Sequence, residues 1–144
     1  MPQTAPEIIA LAESLRPAVL HVSRRLRQAG QRTGLSAQDV LVLVQVRKQP
    51  GIGVSALADA ERISRPTMSA QVKRLEASGL LARSEHDSDG RRSGLSITPA
   101  GANKLVEIRQ QRNDWLVERL ARLSPEERDL LAQAAPALER LADL

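Results

Sequence analysis

Residues 54–101 constrain the chain most: VSALADAERISRPTMSAQVKRLEASGLLARSEHDSDGRRSGLSITPAG. Val54 reads as part of a short strand, and Ser55 as the cap of a short helix through Leu57 and Ala58 to about Ala60. Ser64 reads as the cap of a longer helix, Arg65 to Ser78, with an apolar stripe at Met68, Val72 and Leu75. Gly79 fits the left-handed position that ends a helix, and Leu80 is placed to fold back onto Leu75. Leu81–Ser84 and Ser93–Ile97 are candidate strands around the polar loop Glu85–Arg92, where Gly90 permits a tight turn. Thr98 and Pro99 then form a cap and first position for another helix. Two helices joined by a turn and followed by a hairpin leave few choices of fold.

The flanks are helical. Across 144 residues the apolar share is 42%, yet Trp115 is the one aromatic residue. Leu, Ala, Val and Ile must fill the interior, which favours helix packing over a β-sandwich. Pro6 to Gly30 carries Ile8, Ile9, Leu11, Leu15, Val19, Val22 and Leu26 at mostly helical spacing. Pro17 inside that run is expected to kink the helix or split it. Gly30–Gly34 reads as a polar link, and Ser36 as the cap of Ala37–Lys48. The near-continuous Val/Leu content of that helix predicts burial, with a buried strand as the competing reading of the same run. Gln49-Pro50-Gly51 ends it in a turn. A long helix is expected from Pro99 to about Leu123, and a last one opens at Ser124-Pro125-Glu126-Glu127, with Pro136 placed to kink it. The expected class is mainly α with a small β-hairpin wing. It comprises one domain over 1–144, with a core at about 36–101 and flanking helices at about 5–30 and 99–144.

Placing Met68, Val72 and Leu75 inward and advancing about 100° per residue turns Pro66, Thr67, Ser69, Ala70, Lys73, Arg74 and Ala77 outward. Short side chains lie near the helix start and cations further along. That face suits a DNA major groove: small residues let the backbone approach, hydroxyls reach base edges, and cations neutralise phosphates. Ser64 and Arg65 sit at its tip. Net charge is +4, and 18 of the 21 basic residues are arginine, a mild excess that permits nucleic-acid binding without requiring it. The hairpin adds Arg91, shaped to enter a minor groove, with Asp89 holding it extended and Arg92 on the backbone. Ser36 and Ser55, at helix N-termini, are candidate phosphate anchors.

These residues resemble the winged helix-turn-helix of the MarR (multiple antibiotic resistance regulator) family. The likeness rests on LADAERISRPTMSAQVKRLEASGLL and the wing DSDGRRSGLSITPAG. The family's Asp-x-Arg wing motif falls on Asp89 and Arg91. Its Leu-Thr-x-x-Gly ending falls on Ile97-Thr98-Pro99-Ala100-Gly101, with Ile in place of Leu. The resemblance implies a homodimer whose first and last two helices interlock over a palindromic double-stranded DNA operator. The long apolar stripes of the terminal segments support this independently, since an isologous dimer would cover them. Half-sites should lie about 10 bp apart or a multiple of that.

Family members usually repress transcription and are released by small aromatic or phenolic anions bound between the dimerisation helices and the winged unit. Without Phe or Tyr no ring-stacking pocket can form here, and Trp115 alone remains. Arg16, His21, Arg24, Arg25 and Arg47 are the basic candidates for an anionic effector. The lack of cysteine excludes a thiol sensor, disulfides and thiolate metal sites. His21 and His86 are the two histidines; His86 with Asp87 and Asp89 makes a poor zinc set, so neither a metal nor another cofactor is expected. No catalytic spacing is present, and an enzyme is not expected. The start lacks a signal-peptide pattern and no apolar run is membrane-length, so a soluble, cytoplasmic chain without membrane contact is expected. The alternative is a helical protein-interaction module without specific DNA binding, which would have no use for arginines at a hairpin tip.

Overall fold

The computed structural model describes residue 2, residues 4–84 and residues 94–144. Its elements are α1 (Ala5–Ala29), a short 3-10 turn (Gly30–Thr33), α2 (Ala37–Lys48), α3 (Val54–Glu61), α4 (Arg65–Ala77), β1 (Leu81–Arg83), β2 (Leu95–Ile97), α5 (Pro99–Leu120) and α6 (Pro125–Ala142). This is the expected mainly helical class with an antiparallel hairpin, paired Leu81↔Ile97, Ala82↔Ser96 and Arg83↔Leu95. The strands are shorter than expected at their loop ends, and Ser93 lies outside the described residues.

One aliphatic core joins α2, α3, α4, the hairpin and α5. Val42, Leu43, Val46, Leu57, Met68, Val72 and Leu95 have no exposed surface, and Leu105 and Ile108 anchor α5 against them. The α4 stripe Met68, Val72 and Leu75 is buried as its spacing predicts. α2 is less enclosed than its composition suggests, because Leu41 points outward at 49% exposure.

Capping sets most boundaries. The Ser36 hydroxyl accepts the Asp39 amide at 3.0 Å, while Asp39 accepts the Ser36 amide at 3.1 Å, a reciprocal box that starts α2. Ser124 and Glu127 start α6 in the same way. Gly79, at φ +77, ends α4 by letting the Leu80 amide donate to the Leu75 carbonyl. Thr98 caps α5 by accepting the Gly101 amide at 3.0 Å, and donates to the Gly79 carbonyl at 2.6 Å. A Cβ on Gly101 would collide with the Leu80 carbonyl oxygen. The Thr-x-x-Gly ending therefore clasps the end of α4 to the start of α5.

Four expectations need correction. Val54 is the first residue of α3, not a strand residue; the bridge to β2 is made two residues earlier, Ile52↔Leu95. With pairing ended at Ile52, Gly53 becomes the N-cap and Ser55 lies inside the first turn, where its hydroxyl cannot cap. α1 is not split at Pro17 but runs through it. Pro17 deprives the Glu13 carbonyl of a donor, and Glu13 is exposed, so water can replace it. Pro136 lies inside α6, which continues past it to Ala142. Finally, Gly30–Thr33 is a 3-10 turn rather than a plain link.

α1 and α6 contain no buried residue. Ile8, Leu11 and Leu20 on α1 and Leu141 on α6 are each more than half exposed, and they share a hollow of about 450 Å³ with Leu15 and Val19.

Candidate nucleic-acid interface

Between α3 and α4 the chain reverses at Arg62, a left-handed residue at φ 54. The Ile63 amide then donates to Ala58 at 2.9 Å and half-buries its side chain, fixing the angle between the helices. α4 starts at Ser64, whose hydroxyl accepts the Thr67 amide at 3.3 Å and donates to the Thr67 hydroxyl oxygen at 2.8 Å. The Thr67 proton is thereby left free to point outward as a donor.

The structure brings most of the predicted groove face together. Ser64, Arg65, Pro66, Thr67, Ala70, Lys73 and Arg74 are exposed, and Ser69 is half-buried. Ser36, Gln38, Pro66, Thr67, Ala70, Gln71 and Arg74 line an open hollow of about 590 Å³ between the α2 N-terminus and α4. Ser36 thus joins the α4 residues. Its hydroxyl and amide are both engaged with Asp39, which leaves the hydroxyl proton as its outward donor. Ser55 is exposed on α3 but does not line that hollow. Asp89, Arg91 and Arg92 lie outside the described residues, as do His86 and Asp87.

Two residues that sequence reasoning missed organise this surface. Asp39 and Gln71, each 5% exposed, form the buried polar pair beneath it. Gln71 Nε2 donates to Asp39 Oδ1 at 3.1 Å, and Arg74 Nη2 lies 3.5 Å from the same oxygen. Burial works against the Asp39 charge, but donation from Gln71 and Ser36 and the Arg74 cation together hold its carboxyl below the ordinary value of 3.8. A Ser-x-x-Asp box was visible at 36–39 and could have flagged Asp39; no local signal marks Gln71. On the far side of α4, Glu76 accepts from Arg83 Nε at 2.8 Å and ties the helix to β1.

The effector candidates do not converge. Arg47 lines a cleft of about 280 Å³ between α1, α2 and α5, with Arg109, Arg112 and Asn113 over apolar walls that include Leu26, Val40 and Leu116. Arg16 lies in the apolar hollow between α1 and α6, and Arg24 borders a separate hollow beside Ala37. His21 and Arg25 are exposed on α1. Trp115 packs under Arg119, 4.1 Å from the ring centroid, and borders a third recess with Arg32 and Asp114. Arg109 and Arg112 were the residues missed. Arg112 is packed against Gly30, its Nε buried without a hydrogen-bond partner among the described residues. Burial, and then the nearby Arg27 charge, pull its pKa below the ordinary guanidinium value.

Among the described residues no cluster of three metal-binding side chains occurs, and no helix is long and apolar enough to cross a membrane.

Known proteins place this arrangement. Residues 35–93 match the MarR family. An uncharacterised HTH-type transcriptional regulator of Mycobacterium bovis is 34% identical over 133 residues, covering 92% of this chain and 93% of the relative. An HTH-type transcriptional repressor of Bacillus subtilis is 26% identical over 133 residues, covering 92% of this chain and 79% of its own length. A crystal structure of a candidate transcriptional regulator from Pseudomonas aeruginosa superposes with a TM-score of 0.82 at 32% identity, covering 98% of this chain and 99% of that one. The chain belongs to the MarR family of winged helix-turn-helix transcriptional regulators.

Proposed function

We propose that this regulator is a cytoplasmic homodimer that represses transcription from an inverted-repeat operator in double-stranded DNA and is released by a small anionic effector. The observation that carries DNA reading is the shared hollow in which Ser36, Thr67 and Arg74 meet across the starts of α2 and α4. Helix N-termini and an arginine favour a phosphate there, while Thr67 and Ala70 face where base edges would lie. Arg65 and Lys73 extend the phosphate contacts, and Arg91, oriented by Asp89, serves the minor groove.

The homodimer is supported by the uncovered aliphatic faces of α1 and α6. The Leu and Ile side chains there are already about half covered, so taking the rest of each out of water contributes roughly 1–1.5 kcal/mol. Repression is supported by the Bacillus subtilis repressor, similar over most of both chains. The effector reading is supported by Arg47, Arg109 and Arg112 around one cleft, none of them in an ion pair among the described residues. An anion with an apolar body would satisfy them.

The test is selection of duplexes from a random DNA library, followed by salt titration of the enriched sequence. An inverted repeat with half-sites about 10 bp apart, weakened steeply by salt through counterion release, supports the proposal. Failure to enrich any sequence at low salt overturns it and leaves a helical interaction module.

A further inference from the structure

We propose that Asp39 is a positioning residue for DNA binding: through Gln71 it fixes the rotation of α4, and it holds the Arg74 guanidinium ready for a phosphate. This rests on the reading of α4 as the DNA-reading helix.

The carboxylate is fully engaged. Its Oδ2 accepts the Ser36 amide at 3.1 Å, which locks it to the first turn of α2. Its Oδ1 accepts Gln71 Nε2 at 3.1 Å and faces Arg74 Nη2 at 3.5 Å. Gln71 and Arg74 are three residues apart and so lie on one side of α4, a turn from each other. One carboxylate therefore grips two successive turns of α4 from a different helix. A cap alone would need neither contact.

The grip has two consequences. The stripe Met68, Val72 and Leu75 is apolar and non-directional, so it tolerates small rotations of α4. The Gln71 hydrogen bond is directional and buried, and a slip would strand a polar group without water. The side chains presented outward are thus fixed by Asp39 as much as by the core. Arg74, with 66% of its side chain exposed, would otherwise lose considerable rotamer freedom on meeting a phosphate. Held at one Nη2, it keeps its remaining donors for a phosphate. Asp39 itself is 5% exposed and cannot meet the DNA, so its effect must pass through the residues it holds, Gln71 and Arg74 on α4 and Ser36 at the start of α2.

The test measures affinity across a potassium chloride series for the duplex that the wild-type protein enriches from a random library. Proteins compared are wild type, Arg74→Ala, Asp39→Asn and the double variant, each with its melting temperature recorded. Asp39→Asn is expected to weaken binding about five- to tenfold and to lower the salt slope by about 1, as loss of one phosphate contact does. The double variant should bind no more weakly than Arg74→Ala. An unchanged slope with additive losses would make Asp39 a helix cap only, and tighter binding by Asp39→Asn would make it a competitor for Arg74; either overturns the proposal. Arg74→Lys leaves residue 39 intact if Asp39→Asn does not fold. It keeps the charge but loses the fork, and wild-type affinity there would also overturn the proposal. If the wild type enriches no duplex, the DNA reading itself has failed and this inference falls with it.

Discussion

The Asp39 carboxylate carries a pH dependence of its own. In the folded chain its pKa lies below the ordinary 3.8, because donors from Gln71 and Ser36 and the Arg74 charge outweigh the cost of burial. The unfolded chain then binds the proton more readily, so stability from this group is present above about pH 4 and is lost as pH falls through the folded pKa. Urea midpoints measured from neutral pH down to about pH 2.5 should fall for the wild type at the acid end. Asp39→Asn should start lower at neutral pH and show a shallower acid decline. Parallel acid limbs for the two proteins would contradict the hydrogen-bonded geometry. How far this site was legible differs by residue. Ser36 declared itself as a cap, and Thr67, Ala70 and Arg74 followed from the period of α4. Gln71 did not, because the partner that makes its burial tolerable lies 32 residues away. A glutamine beside an apolar stripe reads as solvent-facing until that partner is known.

Among elements, the two serines expected to cap neighbouring helices separate cleanly. Ser64 accepts the Thr67 amide, whereas Ser55 lies one residue inside α3, whose cap is Gly53. Replacing Ser64 by alanine should cost about 1 kcal/mol in chemical denaturation, and Ser55→Ala should stay within about 0.5 kcal/mol of wild type. Equal losses would show that Ser55 has a role the fold does not explain. The sequence misled at Val54 because a β-branched residue after Pro-Gly-Ile-Gly suits a strand locally, while the pairing partner Leu95 is already taken by Ile52. Of the two outcomes expected at Pro17, a kink or a split, the split does not occur. The lost hydrogen bond is one part of the proline penalty, and here it falls on Glu13, an exposed residue where water can replace the donor. Helix existence was readable throughout; the register of strand pairing was not.

For the whole molecule, the proposed homodimer would form on the uncovered faces of α1 and α6. Leu11 and Leu141 share one apolar hollow, and both are more than half exposed in the isolated chain. Leu11→Glu should convert a dimer into monomer in light scattering at micromolar concentration. Operator affinity should then fall by about 10²-fold or more, since a lone chain grips one half-site without the second. A dimer that persists would place the association surface elsewhere. The stripes behind this prediction were evident from spacing alone. The cleft of Arg47, Arg109 and Arg112 was not, because those arginines meet only once α5 crosses α2.

Trp115 gives the molecule a signal of its own. It is the sole Trp, Phe or Tyr in the chain, so all intrinsic near-ultraviolet emission comes from one ring on α5, stacked under Arg119. The next residue, Leu116, lines the arginine cleft, and the ring itself borders the recess beneath Ala29 at the end of α1. Fluorescence therefore watches the α1–α5 junction without a label, and a spectral change on adding a ligand needs no deconvolution.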